Sequence, residues 1–212
     1  FDGHIKQQLV ARRDAGEQAA DDVTTRLVRE HIHGRPLSDE EIVSIVRNWT
    51  VGELGTIAAS VGILVHYLAV HPALQTELRE QPENLPDAID EILRIHAPLI
   101  ANRRVTTCPV ELSGRKIEVG ERLTLIWAAA NRDETVFGDP DVYDPERNRD
   151  HNLLYGAGVH VCPGAPLARL ELRLLMESLL ANTREITLAP ESAPERARFP
   201  ASGFSSLAVC LN

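Results

Sequence analysis

A glycine-rich segment around Cys162 carries the residue types in this chain that are most able to do chemistry. Residues 155–164, here called the Cys162 loop, read Tyr-Gly-Ala-Gly-Val-His-Val-Cys-Pro-Gly. Glycines allow a tightly turned backbone and let a flat ligand approach closely. Leucines recur at helical spacing after the loop, so Cys162 precedes a helix start, where free amide groups and the helix dipole favour a negatively charged sulfur. Cys162 is therefore a candidate metal ligand or nucleophile.

Two other roles for Cys162 stay open on the residues alone. A lone cysteine in a glycine-rich loop can be a buried structural residue. It can also belong to a zinc site, but the chain has no Cys-x-x-Cys pair. His160 and Cys162 together supply only two of the four ligands that zinc needs.

Two pairs of charged residues are further candidates. Glu91 and Arg94 stand three residues apart in a segment of helical pattern, so their side chains share one helical face. Most such pairs lie on the surface and contribute little to stability. Arg103 and Arg104 are adjacent, and two neighbouring arginines usually form a solvated patch.

The hydrophobic pattern predicts the elements that position these residues. A capping box, with Ser38 as the N-cap and Glu41 three residues on, begins a long helix. That helix runs to about Val70, with a break near Trp49–Gly52, and ends before Pro72. We predict further helices over about residues 73–79, 85–95 and 165–180, and one or two over 1–30. Short strands are expected over 103–127 and 183–212, with an irregular, Pro- and Asp-rich stretch over 138–149.

The composition limits the class of protein. The 212-residue chain is 43% hydrophobic and carries a net charge of −9, which argues against an electrostatic role on nucleic acid or an anionic membrane. Its cysteines, Cys108, Cys162 and Cys210, are widely spaced, as in proteins of a reducing cytoplasm. No uninterrupted apolar run reaches the roughly 18–20 residues of a membrane span. The chain begins at Phe1 as a piece of a longer protein would.

The Cys162 loop resembles the heme-binding loop of the cytochrome P-450 superfamily, which reads aromatic, Gly, any, Gly, any, Arg or His, any, Cys, any, Gly. Every defined position is met, with Tyr155 where phenylalanine is more usual. The resemblance implies that Cys162 is the axial thiolate ligand of heme b iron and that His160 hydrogen-bonds a heme propionate. It makes Tyr155, Gly156 and Gly164 further cofactor-binding positions.

The segment Glu91-Ile92-Leu93-Arg94 resembles the Glu-x-x-Arg motif of the same family. In the family this pair bonds a third residue from the meander, an irregular segment before the heme loop. Residues 141–147 resemble that meander, which makes Arg147 the implied third member. The resemblance gives this triad a structural role, because bidentate charge-assisted hydrogen bonds fix the surrounding core.

The resemblance also assigns residues to the edge and the substrate side of the heme. An arginine that precedes a threonine in the strand region binds a heme propionate in the family, and Arg104 fits that register better than Arg103. Guanidinium suits such an anionic edge because its donors form a fork. Leu99, Ile100 and Phe204 would face the substrate, with ordinary core positions as the alternative.

The segment Gly52–Thr56 lies in the long helix and departs from the family pattern. Two glycines within a helix cost about 1 kcal/mol each relative to alanine, which indicates a packing or functional reason. The family has Ala/Gly-Gly-x-Asp/Glu-Thr here, where the helix opens and the acid–alcohol pair delivers protons during dioxygen activation. Aligned without gaps on Pro72, Thr56 falls on the threonine, but Gly55 replaces the acid and Glu53 the second glycine. Thr56 and Glu53 are the catalytic candidates, with ordered water or the substrate as other proton sources.

The resemblance implies a mainly α fold with small β-sheets, built from a long distal helix, the Glu-x-x-Arg helix, the meander, the Cys162 loop and a proximal helix. Residues 1–212 would form a single heme-binding region, the C-terminal heme-bearing half of a soluble, cytoplasmic, bacterial-type member whose N-terminal half is absent.

The implied activity is that of a monooxygenase, an oxidoreductase that inserts one oxygen atom from O2 into a small apolar organic substrate. Electrons would come from a ferredoxin-type or fused reductase, with Arg169 and Arg173 as candidate docking residues. The N-terminal half of the protein, or a second copy of the chain in a homodimer, would cover the heme. Because Gly55 replaces the acid, a heme-binding module or a peroxide-driven peroxygenase is the alternative.

Overall fold

The computed structural model describes residues 1–212, which divide into two structural units, Phe1–Gly55 and Thr56–Asn212. Helices dominate both units, and strands occur only as short antiparallel pairs. The predicted mainly α fold with small β-sheets is therefore confirmed. All residues predicted to bind the cofactor lie in the second unit, whereas Glu53 lies in the first. The assignment of residues 1–212 to one heme-binding region stays a prediction.

The first unit is a small helical cluster with its own apolar core. Its elements are α1 (Asp2–Ala15), α2 (Val23–Arg29), the hairpin β1 (His31–Ile32) and β2 (Arg35–Pro36), and α3 (Asp39–Val51). The predicted capping box is present: Ser38 Oγ accepts from the Glu41 N–H at 3.2 Å, and Glu41 Oε2 accepts from the Ser38 N–H at 2.8 Å. Leu9, Leu37 and Ile42 are buried together.

The second unit is built on four helices that share one core. Its helices are α4 (Ile57–Val70), α5 (Pro72–Glu80), α6 (Leu85–His96), α7 (Trp127–Ala130), α8 (Glu134–Phe137), α9 (Pro145–Asn148) and α10 (Ala165–Asn182). As predicted, α4 ends at Val70 and Pro72 begins the next helix, where its missing N–H is no loss. Apolar residues of α4, α5, α6 and α10 form the core, among them Leu64, Leu78, Ile92 and Met176.

The strands of the second unit form four separate two-stranded antiparallel pairs. They are β3 (Ala101–Val105) with β6 (Arg122–Ile126), β4 (Val110–Leu112) with β5 (Arg115–Ile117), β7 (Ile186–Leu188) with β10 (Val209–Leu211), and β8 (Glu195–Arg196) with β9 (Phe204–Ser206). Gly203 precedes β9 with φ of +77°, and a Cβ there would lie 3.1 Å from the carbonyl oxygen of Ala59. This close approach requires glycine and fixes the start of β9 against α4.

The long helix, predicted to break near Trp49–Gly52, is interrupted slightly later along the chain by a π-helical turn, Gly52–Thr56, between α3 and α4. Such turns insert an extra residue into the helix and often mark functional sites. The stretch Asp39–Val70 is also the one helix that by length and composition could cross a membrane, since an 18-residue window within it has a mean hydropathy of 1.6 and is 28% buried. Core helices of soluble proteins pass the same test, and Ile63, Leu64 and Leu68 of α4 are buried in the core.

Candidate functional site

The Cys162 loop is a sequence of tight turns that ends at α10. Gly156 and Gly158 have φ of +73° and +68°, a region that side chains disfavour. The Cys162 N–H donates to the Tyr155 carbonyl oxygen at 2.9 Å, and the Cys162 carbonyl accepts from the Ala165 N–H at 3.3 Å. These bonds fix the cysteine between the two ends of the loop, three residues before the first residue of α10.

The face of the Cys162 loop is open and largely apolar. Cys162 is exposed and free, and Val159 and Val161 are 96% and 52% exposed. His160 is also exposed, in the turn Gly158–His160. A Cβ built on Gly164 would lie 3.8 Å from Cys162 Sγ, so glycine leaves that side of the sulfur uncovered. A flat apolar group can therefore lie against the thiol.

The surroundings of Cys162 bear on the alternatives for its role. Cys162 is exposed, which does not suit a buried structural residue. No three His, Cys, Asp or Glu side chains are grouped as a metal site would require, so the zinc alternative lacks its ligands. An exposed thiol in a glycine-turned loop beside exposed valines fits a heme, whose faces are apolar and whose iron takes an axial cysteine.

Tyr155 lies between the loop and the helices behind it. The Arg169 guanidinium of α10 lies over the Tyr155 ring, 4.5 Å from its centroid. Arg169 Nε also donates to Asp90 Oδ2 of α6 at 2.9 Å. Burial is the main reason that the pKa of the Tyr155 hydroxyl lies well above its usual value, with a further contribution from the Asp90 carboxylate.

Glu91 and Arg94 form a buried ion pair. Arg94 donates through Nε and a terminal nitrogen to the two Glu91 oxygens at 2.7 and 2.9 Å, and the side chains are 2% and 0% exposed. The remaining Arg94 donors reach the carbonyls of Asn131 and Pro140 at 2.6 and 2.9 Å. The pair thereby ties α6 to the segment before the Cys162 loop, and its surface alternative is wrong.

We had predicted Arg147 as the third partner of this pair, and that prediction is wrong, because the third partner is Asn148. Asn148 Nδ2 donates to Glu91 Oε1 at 2.8 Å, and the Asp144 N–H donates to the same oxygen at 3.1 Å. Arg147 is 45% exposed and donates instead to Asn148 Oδ1 at 3.1 Å. Because Arg94 already neutralises Glu91, a neutral donor completes the buried site without adding a charge that would have to be desolvated. Asp144 caps α9 and turns Arg147 outward.

Arg104 lies on the face of β3 that also carries Asn102, because alternate residues of a strand share a face. Asn102 Oδ1 accepts from Trp127 Nε1 at 2.7 Å, and the Trp127 ring lies 4.0 Å from a Cβ built on Gly156. The structure therefore links this face of β3 to the Cys162 loop. Arg104 is half-buried and donates to the Arg103 carbonyl at 2.8 Å, whereas Arg103 is exposed.

The candidate catalytic residues share the π-helical turn. Glu53 is exposed, and Thr56 is half-buried with its carbonyl accepting from Ser60 Oγ at 2.7 Å. A π-helical turn widens the backbone at this point, which is the local opening that the resemblance implied.

The three predicted substrate contacts have different surroundings. Leu99 is 39% exposed, and Ile100 is half-buried with its carbonyl bonded to the Ala128 N–H at 3.3 Å. The Phe204 ring packs against His66 in a tilted arrangement, with 4.6 Å between the ring centroids, and the Arg196 guanidinium lies 4.3 Å from the Phe204 centroid. Leu99 is thus the most accessible of the three.

The two arginines predicted to meet an electron donor are both ion-paired in the structure. Arg169 bonds Asp90, and Arg173 Nε lies 3.5 Å from Glu177 Oε1. Their side chains are 53% and 44% exposed, so both remain reachable from solvent.

Sequence reasoning missed Asn131, Asn148, Trp127 and Asp90. Asn131 is 1% exposed, and its Oδ1 accepts from the Leu153 N–H at 2.7 Å, just before the Cys162 loop. Asparagines carry no periodic signal, and their partners are distant in sequence. Their one distinguishing feature is full burial, which is rare for asparagine, and burial cannot be read from the sequence.

Comparison with known proteins gives a consistent picture. A family model described as cytochrome P-450 matches residues 4–203. Nocardicin C N-oxygenase from Nocardia uniformis subsp. tsuyamanensis is 36% identical over 210 residues, which cover 91% of this chain and 52% of that protein. Erythromycin C-12 hydroxylase from Saccharopolyspora erythraea is 34% identical over 188 residues, covering 87% and 46%.

A solved structure also aligns along almost the whole chain. The structure of a mutant of the P-450 EryK in complex with erythromycin B, a protein from S. erythraea, superposes with a TM-score of 0.90 at 31% identity. The alignment covers 99% of this chain and 54% of that one. The chain thus spans about half the length of the curated relatives it matches.

Proposed function

Since the chain belongs to the cytochrome P-450 family, we propose that it forms the heme-bearing part of a heme-thiolate monooxygenase with Cys162 as the axial ligand of the iron. The observation that carries this proposal is the exposed, glycine-framed thiol three residues before α10. The helix N-terminus and the turned backbone amides favour negative charge on that sulfur.

The cofactor is heme b, which members of this family bind. Bound heme would supply a redox-active iron, and the Cys162 thiolate that would hold it would donate electron density to that iron. His160 and Arg104 hold the propionates through charge-assisted hydrogen bonds, which the exposure of His160 and the strand register of Arg104 support. Gly156 and Gly164 keep side chains away from the ring and the sulfur.

Proton delivery falls to the π-helical turn. Thr56 orients water through its hydroxyl, and the exposed Glu53 exchanges protons between that water and bulk solvent. Gly55 has no side chain, so it leaves space beside Thr56 in which ordered water can lie.

The substrate is a small apolar organic molecule that contacts Leu99 and Ile100, with Phe204 as a third contact. The co-substrate is O2, and electrons come from a ferredoxin-type or fused reductase that docks near Arg169 and Arg173. We place the protein in the cytoplasm. Its bacterial relatives and its three free cysteines support that location.

The test is the visible spectrum of the reduced, carbon monoxide-bound protein and of three cysteine variants. We expect a strongly red-shifted Soret band, typical of thiolate ligation, in the wild type, in Cys108→Ser and in Cys210→Ser. Cys162→Ser should lose that band. A band that persists in Cys162→Ser would overturn the assignment, and a histidine-type band in the wild type would overturn thiolate ligation altogether.

A peroxide-driven peroxygenase is the second candidate, because Gly55 replaces the acid of the family pattern. Product formed with peroxide but not with a reductase and O2 would favour this alternative. No product under either condition from protein that carries a thiolate-bound heme would favour a heme-binding module without catalysis.

A further inference from the structure

We propose that Asp90 and Arg169 are positioning residues that fix the Cys162 loop through Tyr155. This inference rests on the proposed function, since it names the groups that hold the predicted axial ligand in place. The Glu-x-x-Arg pair plays no part in it, although Asp90 is the residue directly before Glu91.

The first step is the ion pair between α6 and α10. Arg169 donates through Nε to Asp90 Oδ2 at 2.9 Å, and a terminal nitrogen of its guanidinium lies 2.8 Å from the same oxygen. The Asp90 side chain is 22% exposed, whereas that of Arg169 is 53% exposed. Asn152 Nδ2 donates to the main-chain carbonyl oxygen of Asp90 at 3.0 Å, which ties α6 to the segment before the Cys162 loop. Asp90 is the more buried member of the pair and sets the direction of the guanidinium.

The second step joins the guanidinium to the cysteine. Held by Asp90, Arg169 lies flat over the Tyr155 ring at 4.5 Å and attracts its electron-rich face. Tyr155 in turn accepts the Cys162 N–H through its carbonyl oxygen at 2.9 Å. The loop has glycines on both sides of Ala157, so its backbone has little stiffness of its own. The Tyr155 ring is the large side chain that anchors the first end of the loop.

Electrostatics explains why both charges are required. Asp90 Oδ1 is buried and has no hydrogen-bond partner among the protein's atoms, so Arg169 alone compensates this carboxylate. Burial raises the pKa of Asp90, and the Arg169 hydrogen bond opposes that rise. Removing Arg169 therefore leaves the partly buried Asp90 carboxylate without its counter-charge, and removing Asp90 leaves the guanidinium without the group that orients it. Asp90, Tyr155 and Arg169 line one cavity of about 80 Å³.

The ring of Tyr155 anchors the loop by stacking under Arg169, whereas its hydroxyl has no role in this inference. Tyr155 Oη is buried with no protein partner. We expect Tyr155→Leu, which removes the aromatic ring, to resemble loss of Arg169 in its faster exchange at the Cys162 amide.

The test measures hydrogen exchange at the Cys162 amide in the purified chain, together with heme content and the reduced, carbon monoxide-bound spectrum of the same samples. The variants are Asp90→Asn and Arg169→Gln. The matched controls are Asp87→Asn and Arg149→Gln, which remove a surface ion pair that starts on the same helix. Exchange should accelerate about tenfold in the test variants, as loss of a partly buried ion pair and a cation–π contact implies, and should stay within about twofold in the controls.

The spectrum then shows whether loop order matters for ligation. In heme-bearing Asp90→Asn and Arg169→Gln protein, we expect the thiolate-ligated fraction to fall several-fold against both controls. Unchanged exchange would overturn the inference whatever the heme does. Accelerated exchange with a full thiolate band would also overturn it, since the pair would then order the loop without positioning the ligand. A wild type with no thiolate band refutes the proposed function instead, and exchange alone still decides whether the pair holds the loop.

If Asp90→Asn or Arg169→Gln fails to fold, Arg169→Lys replaces it. Lysine keeps the charge that neutralises Asp90 but lacks the planar group that stacks on Tyr155. Folded Arg169→Lys protein should therefore still show faster Cys162 exchange than Arg149→Lys. Equal exchange rates in these two variants would overturn the role of stacking.

Discussion

Glu91 shows, at the scale of single residues, how a buried charge can have all its hydrogen-bond partners within the protein. Its oxygens accept from Arg94, Asn148 and the Asp144 N–H, so all its charge is compensated within hydrogen-bond distance. Such a site is weak evidence for stability when intact, but it is costly to break. Its consequence for the protein is therefore best seen by removing one member.

Glu91→Ala should lower the free energy of unfolding by about 3–5 kcal/mol, because it leaves the fully buried Arg94 without a counter-charge. Urea denaturation and heme content measure the effect, and heme retention should fall together with stability. Glu177→Ala, which removes an exposed partner of Arg173, serves as the control and should stay within about 0.5 kcal/mol of the wild type. Well-folded Glu91→Ala protein with full heme would contradict the structural role.

Asn148 and Arg147 offer a comparison between neighbours. Asn148→Ala removes a buried donor to a carboxylate, so we expect a loss of about 1.5–3 kcal/mol in the free energy of unfolding. Arg147→Ala removes a half-exposed side chain and should cost less than about 1 kcal/mol. Equal losses would mean that Arg147 reaches the pair in solution.

The lowered pKa of His96 predicts that the free energy of unfolding depends on pH. Burial, and then the nearby Arg196 and Arg132, lower its pKa from 6.5 to about 4. Between these pH values the unfolded chain binds a proton that the folded chain rejects, so stability is present above pH 6.5 and is lost as the pH falls towards 4. The loss is about 2–3 kcal/mol from this histidine. Urea denaturation of His96→Asn should show a shallower decline over that interval, and a parallel decline would contradict the assignment.

At the scale of elements, features that depend on neighbouring residues were predictable from the sequence, whereas contacts between distant residues were not. The Ser38–Glu41 capping box and the stop at Pro72 depend on neighbouring residues, so the sequence alone placed them correctly. The position of Cys162 before α10 followed from the same kind of reasoning. The partner of Glu91 did not, because Asn148 lies 57 residues away and its choice depends on a charge balance inside the fold. The meander, expected to be irregular, contains the short helix α9 for a local reason, the Asp144 cap.

The π-helical turn predicts a separation of stability from activity. Gly55 has an open surrounding and no positive φ, so Gly55→Ala should raise the free energy of unfolding by about 0.5–1 kcal/mol. Alanine favours the regular α-helix, in which Glu53 and Thr56 change their relative direction. We therefore expect reductase-driven product formation to fall while peroxide-driven formation is kept. Gly3→Ala in α1, which is equally open, is the control for stability alone. Unchanged reductase-driven activity in Gly55→Ala would remove the turn from proton delivery.

At the scale of the whole molecule, α10 carries apolar residues on two sides. One side, with Leu172, Met176 and Leu180, is buried in the core of the second unit. The leucines on the other side are exposed by 44% to 50%, namely Leu167, Leu170, Leu174 and Leu175. An exposed apolar row of this length is typical of an interaction surface or a site of association. These exposed leucines belong to a chain that spans about half the length of its relatives.

The exposed leucines of α10 predict that this chain self-associates when it is alone in solution. Its net charge of −9 opposes association at long range, but apolar contact dominates once two such surfaces meet. Light scattering coupled to size-exclusion chromatography should show a mass that rises with concentration. Leu170→Glu combined with Leu174→Glu should restore the monomer mass without lowering the midpoint of thermal unfolding, because neither side chain is buried. Val110→Glu on β4 is the control, since it alters an exposed apolar residue elsewhere and should leave association unchanged. A wild-type mass that remains that of the monomer at every concentration would contradict the predicted self-association.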